Sequence, residues 1–303
     1  MDELKDLKVD DEWKRDLRSK LIIATAGATQ EKLNIYSQIG YYYECYAPAT
    51  VFKYYPDKLE RLADVKANKM WYSAPCTFND VFDCDIAIDE KGIFDSALLM
   101  CPDKRGIRAG SPKWKELKIT MRQAIKSFHS EWETLRRQTG ISCLSESEKS
   151  LLMWAHYANN HRGMCVEYNL LEINRQLRFT AIPVIYSDSR VCFRSINMDS
   201  IDQDTHTAFI ESLSTKSPEW SYEKEWRIIR DKAACGDKWN DLKKGALLDM
   251  IFPTSITLGC QSDASFEREV LVYCQENEIN LYKMEKDESL YQLNRKPIRL
   301  FAD

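Results

Sequence analysis

The sequence lacks most of the signatures that would name a reaction. None of the ten cysteines stands in a CxxC pair, and His156 and His161 have no paired cysteines near them. Structural zinc usually takes two close ligand pairs, so no metal is expected. No apolar run reaches the roughly 18 residues that a membrane-spanning helix needs, so no membrane partner is expected. The first residues are charged and carry no apolar leader core, which makes the reducing cytoplasm the expected compartment. Ten glycines and nine prolines are too few for a β-solenoid or a linker protein. The motifs GxGxxG, GxSxG, HExxH and the P-loop are missing, which argues against Rossmann dehydrogenases, elbow-type serine hydrolases, zincins and P-loop NTPases. A formal net charge of −4 gives no bulk attraction to nucleic acid.

What is present is an ordinary globular composition over 303 residues, 44% hydrophobic and 30% charged. That length fits two domains, or one large domain with an insertion. Residues 1–40 read as an amphipathic helical arm, with Leu4, Leu7, Trp13, Leu17 and Leu21 recurring among charges. The arm is expected to pack on the body or on a second subunit, and its deletion to leave a folded body with altered association. Residues 41–303 read as one α+β domain whose mixed, mainly antiparallel sheet is flanked by helices. A helical insertion is expected at about 88–140. Its clearest element begins at Ser111-Pro112, steps through Trp114, Leu117, Met121, Ala124, Phe128, Trp132 and Leu135, and ends at Gly140. Ser145 and Glu148 have capping-box spacing before a helix through Met153–Ala158.

Three constellations could carry chemistry. Tyr222–Arg230 alternates like a strand, which would put Glu223, Glu225 and Arg227 on one face at intervals of about 7 Å. Two such carboxylates suit general-base or oxocarbenium work, or else a solvated face of salt bridges. Met153, His156, Tyr157 and Asn160 would share a helix face, with His161 and Arg162 at its C-terminal end. Ser73, Asn79, Asp80, Asp83 and Asp85 could line a pocket, hold a hard cation, or simply cap turns.

These blocks together resemble an uncharacterised prokaryotic family, the domain of unknown function numbered 2971. The matching residues are Lys53-Tyr54, Trp71–Ser73, Asn79-Asp80 with Phe82-Asp83, Met153–Ala158 with Gly163, and Lys216–Arg227. The likeness is expected over about residues 50–260. Tyr55 stands where arginine is expected and Val81 where proline is usual. Glu223-Lys-Glu225 is in addition similar to the Glu-x-Glu strand of ADP-ribosyltransferases. That likeness implies an NAD-using glycosyl-transfer enzyme, a toxin or defence effector, with a protein or nucleic acid as acceptor. It implies Glu225 as the catalytic carboxylate, Glu223 as its partner toward the acceptor, and His156 beside them. Lys53, Tyr54, Ser73, Asn79, Tyr157 and Arg227 would bind NAD, with Ser73 near the hydroxyl that orients the glutamate. Two other readings stay open. One is a metal-dependent nuclease or phosphodiesterase using Asn79, Asp80, His156 and Glu225. The other is a non-enzymatic sensor or assembly protein that associates through the arm.

Overall fold

The structure, a computed structural model, describes residues 12–25, 32–100, 107–177, 181–194 and 201–300. Leu4 and Leu7 lie outside that range. Helices α1 (Glu12–Thr25) and α2 (Lys32–Cys45) precede β1 (Thr50–Tyr55), α3 (Leu59–Lys66) and β2 (Lys69–Ser73). Next come β3 (Ala87–Ile88), α4 (Glu90–Met100), α5 (Pro112–Arg137) and β4 (Thr139–Ser145). Helix α6 (Leu151–Tyr157), β5 (Met164–Asn169), α7 (Leu170–Gln176), β6 (Ile182–Pro183), β7 (Ile185–Tyr186) and β8 (Cys192–Phe193) follow. The chain continues through α8 (Ile201–Ser212), β9 (Thr215–Lys216), a 3₁₀ turn (Pro218–Glu223) and β10 (Glu225–Asp231). It closes with α9 (Lys232–Cys235), β11 (Trp239–Asn240), β12 (Gly245–Asp249), β13 (Ser255–Leu258), α10 (Ala264–Glu276), β14 (Asn280–Lys286) and β15 (Leu293–Pro297).

Among the described residues, eleven strands form one mainly antiparallel sheet, so the fold is α+β. The order is β11-β12-β2-β4-β1-β5-β13-β14-β15, with β10 joined to β4 and β6. One edge of β4 is filled by β10, from Glu225 opposite Ser145 to Asp231 opposite Thr139. The other edge is shared. Ser73 of β2 stands opposite Ile141, and Phe52 of β1 stands opposite Ser145. Between these two anchor points the sheet splits. There the Cys143 carbonyl accepts a hydrogen bond from Lys53 Nζ at 2.8 Å. A buried carbonyl without a ladder partner must find another donor, and the lysine supplies it.

The insertion contains the expected long helix. Ser111 caps α5 by accepting from the Trp114 amide at 3.2 Å. The helix stops at Arg137, however, and Gly140 belongs to β4. A side chain there would press on Tyr72, whose Cβ would lie 3.1 Å away. Trp132 forms a satellite cluster with Ile86, Ile93, Phe193 and Ala208, while Ala124 and Leu135 of the expected stripe are exposed. The capping box at Ser145 does not form. Ser150 caps α6 instead, and Ser145 is turned inward to donate to the Glu223 carbonyl at 2.6 Å.

The arm is built into the main core. Leu17 is fully buried, and Leu21, Ala24, Ile39 and Tyr43 join the same cluster as Trp226 and Ile228 of β10. Trp13 lies 6.2 Å from Trp226, ring centre to ring centre. Glu146 ties both elements, accepting from Lys14 Nζ at 2.6 Å and Trp226 Nε1 at 2.8 Å. The Tyr43 hydroxyl donates to the buried Ala181 carbonyl. Tyr43→Phe leaves that carbonyl without its donor, so we expect a loss of about 1–3 kcal/mol in denaturant unfolding. A variant as stable as the wild type would show that α2 only rests on the body.

Candidate active site

The split in the sheet opens a cavity of about 400 Å³. It gathers Lys53, Tyr54, Ser73, Asn79, His156, Tyr157, Glu223 and Glu225 from segments far apart in sequence. Thr77, Asp83, Cys143, Ser145 and Lys216 also line it. His156 and Glu225 therefore face the same space rather than opposite sides of the body.

The carboxylate segment is not the continuous strand that its alternation suggests. Pro218 opens a 3₁₀ turn that runs to Glu223, and Lys224 then adopts a left-handed conformation at φ 45°. β10 starts only at Glu225. Glu225 and Arg227 share a strand face as expected. Glu223 reaches them by doubling back from the turn. The result is a tighter cluster than a flat strand allows, and Lys216 lies inside it. Lys216 Nζ is 2.6 Å from Glu223 Oε2, 3.4 Å from Glu225 Oε2 and 3.5 Å from Asp83 Oδ2.

Arg227 does not line the cavity. It is fully buried behind Glu225, with its donors committed. Nε and Nη2 grip the two Glu225 oxygens at 2.9 and 3.0 Å. Nη1 and Nη2 grip the two Asp83 oxygens, both at 2.8 Å, and Nη1 also donates to the Leu213 carbonyl at 2.8 Å. The expected role of Arg227 in binding a cofactor is thus corrected: no N–H remains to meet one. Arg227 orients Glu225 instead, and through Asp83 it ties the Asn79–Asp83 loop to the sheet. Tyr54 is similarly committed. Its hydroxyl donates to the Ser147 carbonyl at 2.8 Å, and its ring packs edge-on against Trp154.

The sequence left Asp83 open between pocket, cation and turn roles, and gave Lys216 as part of a family block with no role of its own. Spacing does not assign Asp83 its partner, because Arg227 is 144 residues away, and Lys216 meets Glu223 only through the turn that follows it. Two tyrosine hydroxyls meet the glutamate residues. Tyr157 Oη donates to Glu223 Oε1 at 2.6 Å, and Tyr186 Oη accepts from the Glu225 amide at 2.9 Å.

The two glutamates are driven apart in acidity. Burial opposes ionisation of Glu225, but Arg227 and Lys216 outweigh it and hold its carboxyl at about 2. Burial and the neighbouring Glu225 charge push Glu223 above its ordinary value, against Lys216 and Tyr157. Burial lowers Lys53. Lys216 is raised: the Glu225, Asp83 and Glu223 charges together overcome its burial. His156 sits exposed at the rim, its ring 6.4 Å from that of Tyr222.

Helix α6 ends at Tyr157, so the expected helix face does not extend to Asn160. Asn159, Asn160 and His161 all take positive φ, at 46°, 55° and 66°. This turn presses Gly163 against β1, where a Cβ would fall 1.9 Å from the Tyr55 carbonyl oxygen. Only glycine permits that approach, and it fixes the level at which α6 presents His156 and Tyr157.

For a hard cation, the cavity carboxylates are already engaged by Lys216 and Arg227. Among the described residues, no group of three His, Cys, Asp or Glu side chains is arranged to hold a metal ion. No described helix is long and apolar enough to cross a membrane.

No curated protein and no solved structure matches the chain significantly. A family model does match over residues 153–228, a shorter stretch than the 50–260 expected from the motif blocks. The match holds α6 from Met153 on, Lys216 and the Glu223–Arg227 segment, whereas Lys53, Ser73 and Asn79 lie before it. Over residues 153–228 the chain resembles the family described as protein of unknown function (DUF2971).

Proposed function

We propose that this protein is a glycosyl-transfer enzyme that cleaves the nicotinamide–ribose bond of NAD and passes the ribosyl group to an acceptor. The carrying observation is the pair of glutamates on one cavity, one held ionised at about 2 and the other raised. Environments that separate two titratable groups in this way suit them to different tasks.

Breaking the bond sends its electron pair to the nicotinamide nitrogen and leaves positive charge on the ribose. Glu225 is ionised at every working pH and held rigidly by Arg227. A fixed anion of this kind stabilises the developing cation more than the ground state. Glu223, the weaker acid, suits the role of base. As the acceptor oxygen bonds to the ribose carbon, its proton passes to Glu223. The Tyr157 hydroxyl would hold that carboxylate in place. Lys53 offers a cation for the diphosphate of the substrate, while His156 and Asn79 border the mouth where an acceptor enters.

The test is release of nicotinamide from NAD by purified protein, followed by chromatography, with water, proteins and oligonucleotides as acceptors. Wild type is expected to release it. Transfer is expected to fall as pH drops through the raised value of Glu223, because the base must be ionised. In Glu223→Gln that acid limb disappears along with most transfer, while hydrolysis is spared more. Absence of release under every condition would reject the proposal. Tight NAD binding without release would select a sensor.

A further inference from the structure

Among the described residues, helix α5 is the most basic element of an acidic chain. It carries seven Lys or Arg residues against three Glu, a formal +4 where the whole protein has −4. The basic side chains are ordered. Lys115, Lys118, Arg122, Lys126 and His129 recur at intervals of three or four residues, so they form one stripe along about 21 Å of helix. Lys115, Arg122, Lys126 and His129 are exposed. Among the described residues no carboxylate pairs with Arg122 or Lys126. Glu133 follows one turn beyond the stripe, where Arg136 holds it at 2.6 Å.

The stripe borders a groove of about 620 Å³ between α5 and the segment Asp85–Ile88. Arg122, Lys126 and His129 form one wall, and Arg190 stands in the lining with Asp85 and Glu90. Asp85 is engaged by Arg190 and lies 4.0 Å from Arg136. The floor is apolar, from Ile86, Ile88 and Ile125. At the start of the stripe, Lys118 Nζ sits 4.2 Å from the Trp114 ring centre, and Phe94 packs edge-on against that ring.

We propose that this face of α5 and its groove bind a single-stranded nucleic acid. Cations one helical turn apart suit a chain of phosphodiesters, and an apolar floor with an aromatic pair suits bases that are free of a duplex. The groove also lies next to the candidate active site. Asp83 lines the cavity and Asp85 lines the groove, on either side of Cys84. A strand held on α5 would therefore run beside that cavity. The inference stands on the stripe and the groove alone and does not require glycosyl transfer.

The experiment measures anisotropy of fluorescein-labelled single-stranded DNA and RNA of mixed sequence on the full chain, without NAD. With about three to four phosphates neutralised, affinity should fall roughly 15- to 60-fold for a fourfold rise in salt. The double variant Arg122→Glu with Lys126→Glu should bind at least about tenfold more weakly, with a salt slope shallower by about 1.4 or more. Lys58→Glu with Lys296→Glu, two exposed lysines elsewhere, should bind like wild type. Circular dichroism checks folding, and Arg122→Gln with Lys126→Gln replaces the reversal pair if that pair misfolds. No binding by wild type, equal loss in the Lys58/Lys296 pair, or displacement by polyglutamate as effective as by unlabelled oligonucleotide would overturn the proposal. The last result would assign the face to an acidic protein.

Discussion

Replacing Arg227 by alanine is expected to cost about 3–5 kcal/mol of folding stability, the range for breaking a buried ion pair on one side. The guanidinium bonds both oxygens of Glu225 and both of Asp83, and no water reaches it. Without it, Glu223, Glu225 and Asp83 crowd around the single ammonium of Lys216. Total stabilities of domains are about 5–15 kcal/mol, so this loss is a large fraction of the whole. Lysine at this position keeps the charge but not the fork, so Arg227→Lys should recover only part of it. The pH dependence has a definite sign. Glu225 is held at about 2 when folded, below the value near 4.3 expected of an unfolded chain. Its contribution is therefore complete above about pH 4.3 and is lost as pH falls toward 2. In Arg227→Ala the acid loss should begin at higher pH. Urea unfolding of the three proteins between neutral and acid pH reads all of this. Equal midpoints for Arg227→Ala and wild type would show that the network adds nothing to stability.

Glu225→Gln should lower nicotinamide release by roughly 10²–10³, the effect of removing one preorganised electrostatic group. The amide keeps the side-chain shape and can still accept from Arg227, but the fixed charge that the proposed mechanism requires is gone. Stability should fall as well, since Arg227 then faces a neutral partner, so the rate must be compared on folded protein. The diagnostic is the split between the constants. A group that acts in the transition state lowers kcat and kcat/KM together, whereas lost substrate binding raises KM alone. Glu223→Gln should differ, sparing hydrolysis more than transfer. Unchanged nicotinamide release by folded Glu225→Gln would leave this carboxylate a purely structural role.

Much of the fold was legible because it follows from local periodicity. The long helix α5 and its Ser-Pro start appear where spacing predicts them, as does the mainly antiparallel sheet flanked by helices. The blocks around Ser73, Asn79, His156 and Glu225 also announced themselves, because each mixes aromatic and polar groups beyond the needs of a plain core. What spacing could not show is how the carboxylates sit. Alternation through Glu223 and Glu225 is equally consistent with a strand, and only the left-handed Lys224 after a 3₁₀ turn folds Glu223 back onto Lys216. Arg227 read as a ligand-facing cation. Burial behind Glu225 and the approach of Asp83, 144 residues away in sequence, made it a clamp. The arm read as separable because its stripe is amphipathic. Its destination under Trp226 depends on the opposite face of β10 being apolar. Periodicity along one segment thus determined which residues lie together on an element. Contacts between distant segments decided which charges are paired and which face the cavity, because burial and partner distance are properties of the folded chain alone.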